Sequence, residues 1–393
     1  LAALAAMPAR ASAPEVFGLG SEDAALVNAS SARASGVAAA FYNPAGLARL
    51  ETRETTFGLL GFASRLRAGD EPQPIVEPFG VIVGAATPVP FGGVLARRIY
   101  VGVALYVVPD SVVRVIARKP EQPFFPYYDN RTQRLVVLPS LAVRIGWGFS
   151  AGIAINYLAG LNGQVFTAEG YTRAVEPRVD EAIFATAKIH AGLLWRSPSD
   201  RFAASLVYRQ RFSVPFNTDS RNRVGGEPIN IRIDAEGLFT PDEIVVGGAV
   251  RVVPRLRVSA DLTASLWSQW RGPFVLVDSD LPIIGPLSAP PPTLAYKDTV
   301  SLRAGVEYEH PVDGFCALRA RAGYGFETSP IPAESEQHGT RLLDGTKHFL
   351  GLGFGLRLSR GALGLRVDGH GQLHVVEGGG TVLSAGFSLT VER

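Results

Sequence analysis

From Thr55 to the end of the chain, apolar and polar residues alternate with a period of two, in segments of about ten to fifteen residues, and this leaves few folds open. In the segment 256–270, Leu256, Val258, Ala260, Leu262, Ala264 and Leu266 fall on one face. Arg257, Ser259, Asp261, Thr263 and Ser265 fall on the other. The segment 299–309 repeats the pattern, with Val300, Leu302, Ala304, Val306 and Tyr308 opposite Ser301, Arg303, Gly305, Glu307 and Glu309. One face suits lipid and the other a wet lumen. The reading gives about fourteen such segments: 55–66, 79–88, 99–108, 134–146, 149–159, 183–195, 202–214, 229–252, 256–270, 299–309, 315–327, 348–358, 362–376 and 381–391. Short connections (147–148, 197–201, 254–255, 311–314, 359–361) alternate with long ones (110–133, 161–182, 271–298, 329–347). A β-sandwich would turn its charges outward and space its connections more evenly. The expected fold is therefore all-β: a 14-stranded antiparallel transmembrane β-barrel, integral to an outer membrane, with both termini on the periplasmic side.

Composition agrees with this. Only 19% of residues are charged and mean hydropathy is positive, yet the most apolar window, 79–96, is interrupted by Pro88 and Pro90. No stretch reaches the ~18–20 apolar residues that a spanning helix requires. Residues 1–13, apolar and then small-x-small (Ala9-Arg10-Ala11, Ala11-Ser12-Ala13), read as the tail of a secretory signal. A single cysteine, Cys316, allows no internal disulfide, and a net charge of +2 without a basic run argues against a nucleic-acid partner. All four tryptophans, Trp147, Trp195, Trp267 and Trp270, fall at segment ends, where a membrane interface favours them.

One block does not alternate. Residues 14–53, read as an N-terminal helical plug preceding a barrel of 54–393, carry Phe41-Tyr42-Asn43-Pro44-Ala45-Gly46-Leu47. Asn43 can hold a turn through its side chain, Pro44 fixes φ, and Gly46 allows close backbone approach, which makes a compact knot of Phe41 to Gly46 the expected hatch or gate. Other motifs dissolve on inspection. Gly148-Phe149-Ser150-Ala151-Gly152 matches a nucleophile elbow, but Ile153, Ile155 and Tyr157 continue the strand period. His370 and His374 share a face but stand ~13 Å apart along a strand, so no metal site is expected.

The residues are similar to those of the FadL family of outer-membrane long-chain fatty-acid transporters of Gram-negative bacteria. The likeness rests on Phe41 to Leu47 and continues in Tyr100-Val101-Gly102-Val103-Ala104-Leu105, Leu138-Pro139-Ser140-Leu141-Ala142, Thr240-Pro241-Asp242, Leu266-Trp267-Ser268 and Gly323-Tyr324 with Ser329-Pro330-Ile331-Pro332. It implies a monomeric passive transporter, with no cofactor and no enzyme activity. A hydrophobic small molecule would be caught between extracellular loops, held in the upper barrel, and released sideways into the membrane near the third strand after the plug rearranges. Outer-membrane lipid or detergent would be the other partners. Ten arginines fall on the expected lumen face: Arg144, Arg209, Arg211, Arg251, Arg257, Arg303, Arg319, Arg321, Arg357 and Arg366. An ion-pair lattice accounts for most of them, and Arg319 or Arg321 is expected to meet a ligand carboxylate bidentately. Phe124, Phe125, Tyr127 and Tyr128 in one long loop, and Phe166 in the next, are candidates for ligand capture. Two other readings are a surface receptor or adhesin anchored by the barrel, and an outer-membrane lipid hydrolase.

Overall fold

A computed structural model describes residues 14–73, 75, 79–108, 123–129, 135–169, 175–224, 227–272, 276–279, 294–332 and 341–393. Residues 1–13 and the proline-rich run 282–292 lie outside them. Fourteen strands close into one ring: β1 (Glu54–Ala68), β2 (Phe79–Pro88), β3 (Ile99–Val107), β4 (Val136–Gly146), β5 (Phe149–Glu169), β6 (Val175–Arg196), β7 (Phe202–Arg209), β8 (Glu243–Val253), β9 (Leu256–Ser265), β10 (Thr299–Pro311), β11 (Cys316–Glu327), β12 (Lys347–Arg360), β13 (Leu363–Val376) and β14 (Gly380–Glu392). Every neighbouring pair in the ring is antiparallel. Closure comes from β14 returning to β1, with Glu54 opposite Glu392 and Leu66 opposite Gly380. An even strand count brings both chain ends to one rim.

The two faces separate as the alternation requires. Leu262, Leu302, Leu352 and Phe354 are 48%, 45%, 68% and 67% exposed on the outside. Asp261, Ser301, Glu307, Arg321 and Asp368 are buried inside. Residues 14–50 fill the bore as α1 (Pro14–Phe17), α2 (Ser21–Ala24), α3 (Gly36–Tyr42) and a 3-10 turn, Pro44–Arg49.

Several boundaries differ from expectation. Residues 229–252 do not form one wall strand: Glu227–Thr240 pairs in a hairpin with Phe212–Val224, and only Glu243–Val253 enters the wall. The break falls at Pro241-Asp242, where proline lacks an N–H and the Asp242 carboxylate accepts from Arg211 N (2.9 Å) and the Tyr208 hydroxyl (2.6 Å). The 161–182 connection is likewise largely strand, because β5 and β6 stay paired out to Glu169 opposite Val175. Only Trp147, 92% exposed in its turn, and Trp195 at the end of β6 stand at the wall; Trp267 and Trp270 are buried with Phe239 and Tyr296 in a loop cluster, with ring centroids 4.6–5.8 Å apart. Arg211 is exposed beyond the end of β7 and donates to Gln269 (3.0 Å), so it does not line the lumen.

Candidate functional site: the plug and its seat

The knot begins where α3 stops. Asn43 N donates to Ala39 O (3.0 Å), and Pro44, with no N–H to satisfy, opens the 3-10 turn. The Asn43 carboxamide then uses both ends. Its Oδ1 accepts from Ala45 N (3.1 Å), while its Nδ2 donates to Ser31 O (2.9 Å) in the plug and Leu193 O (3.2 Å) in β6. A side chain with zero exposure thereby ties the turn, the plug lead and the wall together.

The wall is hollowed to receive it. Gly152 in β5 and Gly192 in β6 are cross-strand partners facing inward. A Cβ on Gly192 would fall 2.0 Å from Asn43 Oδ1, and one on Gly152 2.4 Å from Ala45 N. Gly46 is as tightly placed, its missing Cβ 2.3 Å from Ala34 O. Tyr42 accepts from Leu19 N (3.0 Å) and donates to Asn28 Oδ1 (2.8 Å), its ring edge-on to Phe41 with centroids 5.1 Å apart. Ser150, the serine of the elbow-like motif, sits in β5 and donates to Ala45 O (3.1 Å), holding the plug. The Arg144 guanidinium donates to Ala48 O.

The rest of the plug is held by charge. Asp261 accepts from Ser30 N and Ser31 N (both 2.9 Å) and from Ser31 Oγ (2.7 Å). Arg33 of the plug reaches Glu22 (2.9 Å) and Glu307 (3.0 Å); Arg366 reaches Glu54 (2.8 Å), Glu392 (2.9 Å) and Glu22 (3.2 Å). Burial opposes the ionisation of Glu22, but Arg321, Arg33, Arg366 and Arg319 together outweigh it and hold its carboxyl well below the usual range. Burial, with Glu22 alongside, pushes the neighbouring Asp23 up to about 7. Arg321, its side chain fully buried, binds Glu307 through Nε (2.6 Å) and Asp368 through Nη1 (2.7 Å), with Glu22 at 3.7 Å. Arg319 binds Glu309 (2.7 Å) and stands 4.0 Å from Glu22. Both arginines expected to meet a ligand are committed to carboxylates of the protein.

The loop aromatics are also inside. Phe124, Phe125, Tyr127 and Tyr128 are all buried at the end of the barrel away from the termini. Residues 123–129 are strapped down by Phe124 N to Arg341 O (3.1 Å) and Leu343 N to Phe124 O (2.8 Å). The Tyr128 hydroxyl and His374 Nδ1 are 3.2 Å apart, and the His374 ring lies 4.9 Å from that of Phe17 in α1 and 4.6 Å from Phe349. These four side chains are buried at that end of the bore, and Tyr128 connects to Phe17 of the plug through His374. The Phe166 backbone pairs with Arg178 in the β5–β6 ladder; its side chain lies outside the described residues.

Between plug and wall lie two small polar cavities, and a larger space of about 340 Å³ at the terminal end between Arg49 and Leu50 of the plug and Arg357, Arg366 and Glu392. A cavity of about 60 Å³ beside Phe41 and Tyr42 is lined by Lys188, His190, Arg209, Glu243 and Asp261, and one of about 40 Å³ by Glu22, Asp23, Glu54 and Arg366. Gly152, Gly192, Asp261 and Ser150 were not singled out from the sequence as part of this site. A paired glycine at lumen parity in two consecutive strands is the signal that marks such a seat.

No protein-family model matches the chain, and no curated protein does. Solved structures do. A Pseudomonas aeruginosa FadL homologue superposes with a TM-score of 0.59 at 15% identity, covering 95% of this chain and 98% of that one. The P. putida toluene transporter TodX gives 0.58 at 13%, covering 96% and 99%, and the Ralstonia pickettii toluene transporter TbuX gives 0.55 at 14%, covering 96% and 98%. In fold, this chain is a FadL-type fourteen-stranded barrel carrying its own N-terminal segment in the bore.

Proposed function

We propose that the chain is an outer-membrane channel for uptake of hydrophobic small molecules, with the short-turn end and both termini in the periplasm. The stoppered bore carries the reading: a wall apolar on the outside encloses a plug fastened by Asn43 and Asp261 and, through Glu22, by Arg321 and Arg366. Pushing a greasy molecule past these groups would leave its surface against charge and water, at about 0.8 kcal/mol per CH₂. A sideways route avoids that.

Support for a sideways route lies in the β4–β5 ladder. Val136 pairs with Leu158 and Val137 with Tyr157, but the next pair is Ser140 with Ala154, so Leu138 and Pro139 are skipped. Pro139 has no N–H to give, and on the lumen side Asn156 is fully buried with neither amide atom hydrogen-bonded. A seam at this point opens through the wall toward lipid. Because Arg319 and Arg321 are occupied, neutral hydrocarbons stand ahead of fatty carboxylates as cargo.

The test is a tether. In a Cys316→Ser background, Pro139→Cys with Ile155→Cys joins two outward positions across the seam, and Val143→Cys with Ala151→Cys joins the same strands elsewhere. Uptake of radiolabelled toluene by Gram-negative cells carrying the full chain should fall at least tenfold when the 139–155 pair is oxidised and recover on reduction. The 143–151 pair should have no effect. Unchanged uptake through the oxidised 139–155 protein would refute the seam, and uptake equal to that of cells without the chain would refute the channel.

A further inference from the structure

The rim at the terminal end is built differently from the wall above it. Arg97 and Arg98 follow β2, Arg201 precedes β7, Arg255 lies between β8 and β9, and Arg360 ends β12; all five are exposed, and none makes an ion pair among the described residues. Acidic groups on the same rim are mostly engaged. Asp200 is shared by Arg196, Arg251 and Arg257, Glu392 by Arg357 and Arg366, and Asp313 accepts Phe315 N and Cys316 N within its own turn.

Beside these cations stand large apolar side chains turned outward: Val94 (84% exposed), Trp147 (92%), Phe202 (48%), Phe315 (57%) and Leu363 (55%). The Arg201 guanidinium lies 5.5 Å from the centre of the Phe202 ring. Water favours neither a bare Trp147 nor a ring of unpaired guanidiniums separated by apolar groups. A phospholipid interface favours both, because acyl chains meet the apolar side chains where the wall ends and phosphates lie just beyond. Guanidinium also matches a phosphodiester through two parallel hydrogen bonds.

We propose that this rim is a collar that binds the phosphodiester headgroups of anionic glycerophospholipids in the leaflet next to the termini, fixing the depth at which the barrel sits. The proposal rests on the membrane reading above. The full chain is placed in nanodiscs of equal phosphatidylglycerol and phosphatidylcholine and transferred to mild detergent, and the retained lipids are counted by native mass spectrometry. Each arginine touching a headgroup adds about fivefold to retention, so phosphatidylglycerol should exceed phosphatidylcholine by tenfold or more. The ratio should return to that of the bulk in Arg97→Ser/Arg98→Ser/Arg201→Ser/Arg255→Ser/Arg360→Ser, persist in the five-lysine counterpart, and survive 10 mM inorganic phosphate. A bulk ratio in the parent, an unchanged ratio in the serine variant, or loss to free phosphate overturns the collar. Failure to enter nanodiscs of either lipid would instead overturn the membrane reading.

Discussion

Replacing Asn43 by alanine removes three hydrogen bonds from a side chain with no solvent exposure: those to Ser31 O and Leu193 O, and the one from Ala45 N. Each is worth about 0.5–1.5 kcal/mol net, and water does not reach the abandoned groups, so the knot should lose roughly 2–4 kcal/mol. At about 1.4 kcal/mol per decade, its open population rises between tens and several hundred fold. Hydrogen exchange reads this directly. The Ala45 amide caps on Asn43 Oδ1 and the Gly46 amide donates to Asn43 O (2.8 Å), so both should lose that protection while the β12–β13 amides keep theirs. Asn43→Asp separates the contributions. A carboxylate still accepts from Ala45 N but turns an acceptor toward two carbonyls, so Ala45 should stay better protected than in Asn43→Ala while the seat on β6 is lost. Protection in Asn43→Ala within a factor of two of the parent would mean that the carboxamide does not hold the plug.

Two further perturbations bear on the same seat. Arg321→Met strands Asp368, takes one of two cations from Glu307 and withdraws a charge 3.7 Å from Glu22 of the plug, so the folded barrel should lose about 3–5 kcal/mol; adding Asp368→Asn should restore part of this, as measured by the denaturation midpoint in detergent. Asp23 gives a pH dependence. With its carboxyl up to about 7 in the plug against an ordinary 3.8, the docked state binds a proton that the undocked state has released, so docking weakens as pH rises from about 4 to 7 and is flat outside that window. The upper bound is roughly 4 kcal/mol at 1.36 kcal/mol per unit. Glu22, held low, acts in the opposite sense and only below about 4.5. Asp23→Asn should abolish the slope in exchange at Asn28, whose amide donates to Asp23 O; an unchanged slope would remove Asp23 from the account.

What the sequence makes legible here depends on how far apart the deciding partners lie. In β9 and β10 the contrast between hydrocarbon and wet lumen is imposed residue by residue, so alternation alone locates Asp261 and Glu307 inside and Leu262 and Leu302 outside. Beyond the bilayer that contrast fades. The outer part of the β5–β6 hairpin pairs on beyond Val136, where β4 begins, and Glu227–Thr240 pairs outside the ring, and these strands therefore look like loop or like a continuation of the wall. The knot was legible because Asn43, Pro44 and Gly46 act on their own neighbours. Its seat was not, because Gly192 lies about 150 residues away and a glycine in a strand names no partner. Phe124 to Tyr128 look like a capture surface until Leu343, Lys347 and His374, more than 200 residues away, are seen to meet them. Arg321 likewise reads as an open cation until Glu307 and Asp368 arrive from two other strands.

The seat and the seam share a wall, and this joins the two halves of the proposal. The 3-10 turn Pro44–Arg49 packs on β4, β5 and β6, and Leu47 and Ala48 belong to the same apolar cluster as Leu138 and Ala142 of β4. Leu138 is one of the two residues that the β4–β5 ladder skips. In the proposed channel, lifting the knot would loosen the cluster to which Leu138 belongs, at the point where the ladder skips two pairs. A plug fastened by hydrogen bonds and ion pairs suits such a trigger. These contacts are lost steeply with distance and reform only in one geometry, so the knot is either seated or free. On this account the plug is never expelled. In the proposed channel a displacement of the residues around Asn43 would open the wall beside them while Arg321 keeps its pairs with Glu307 and Asp368.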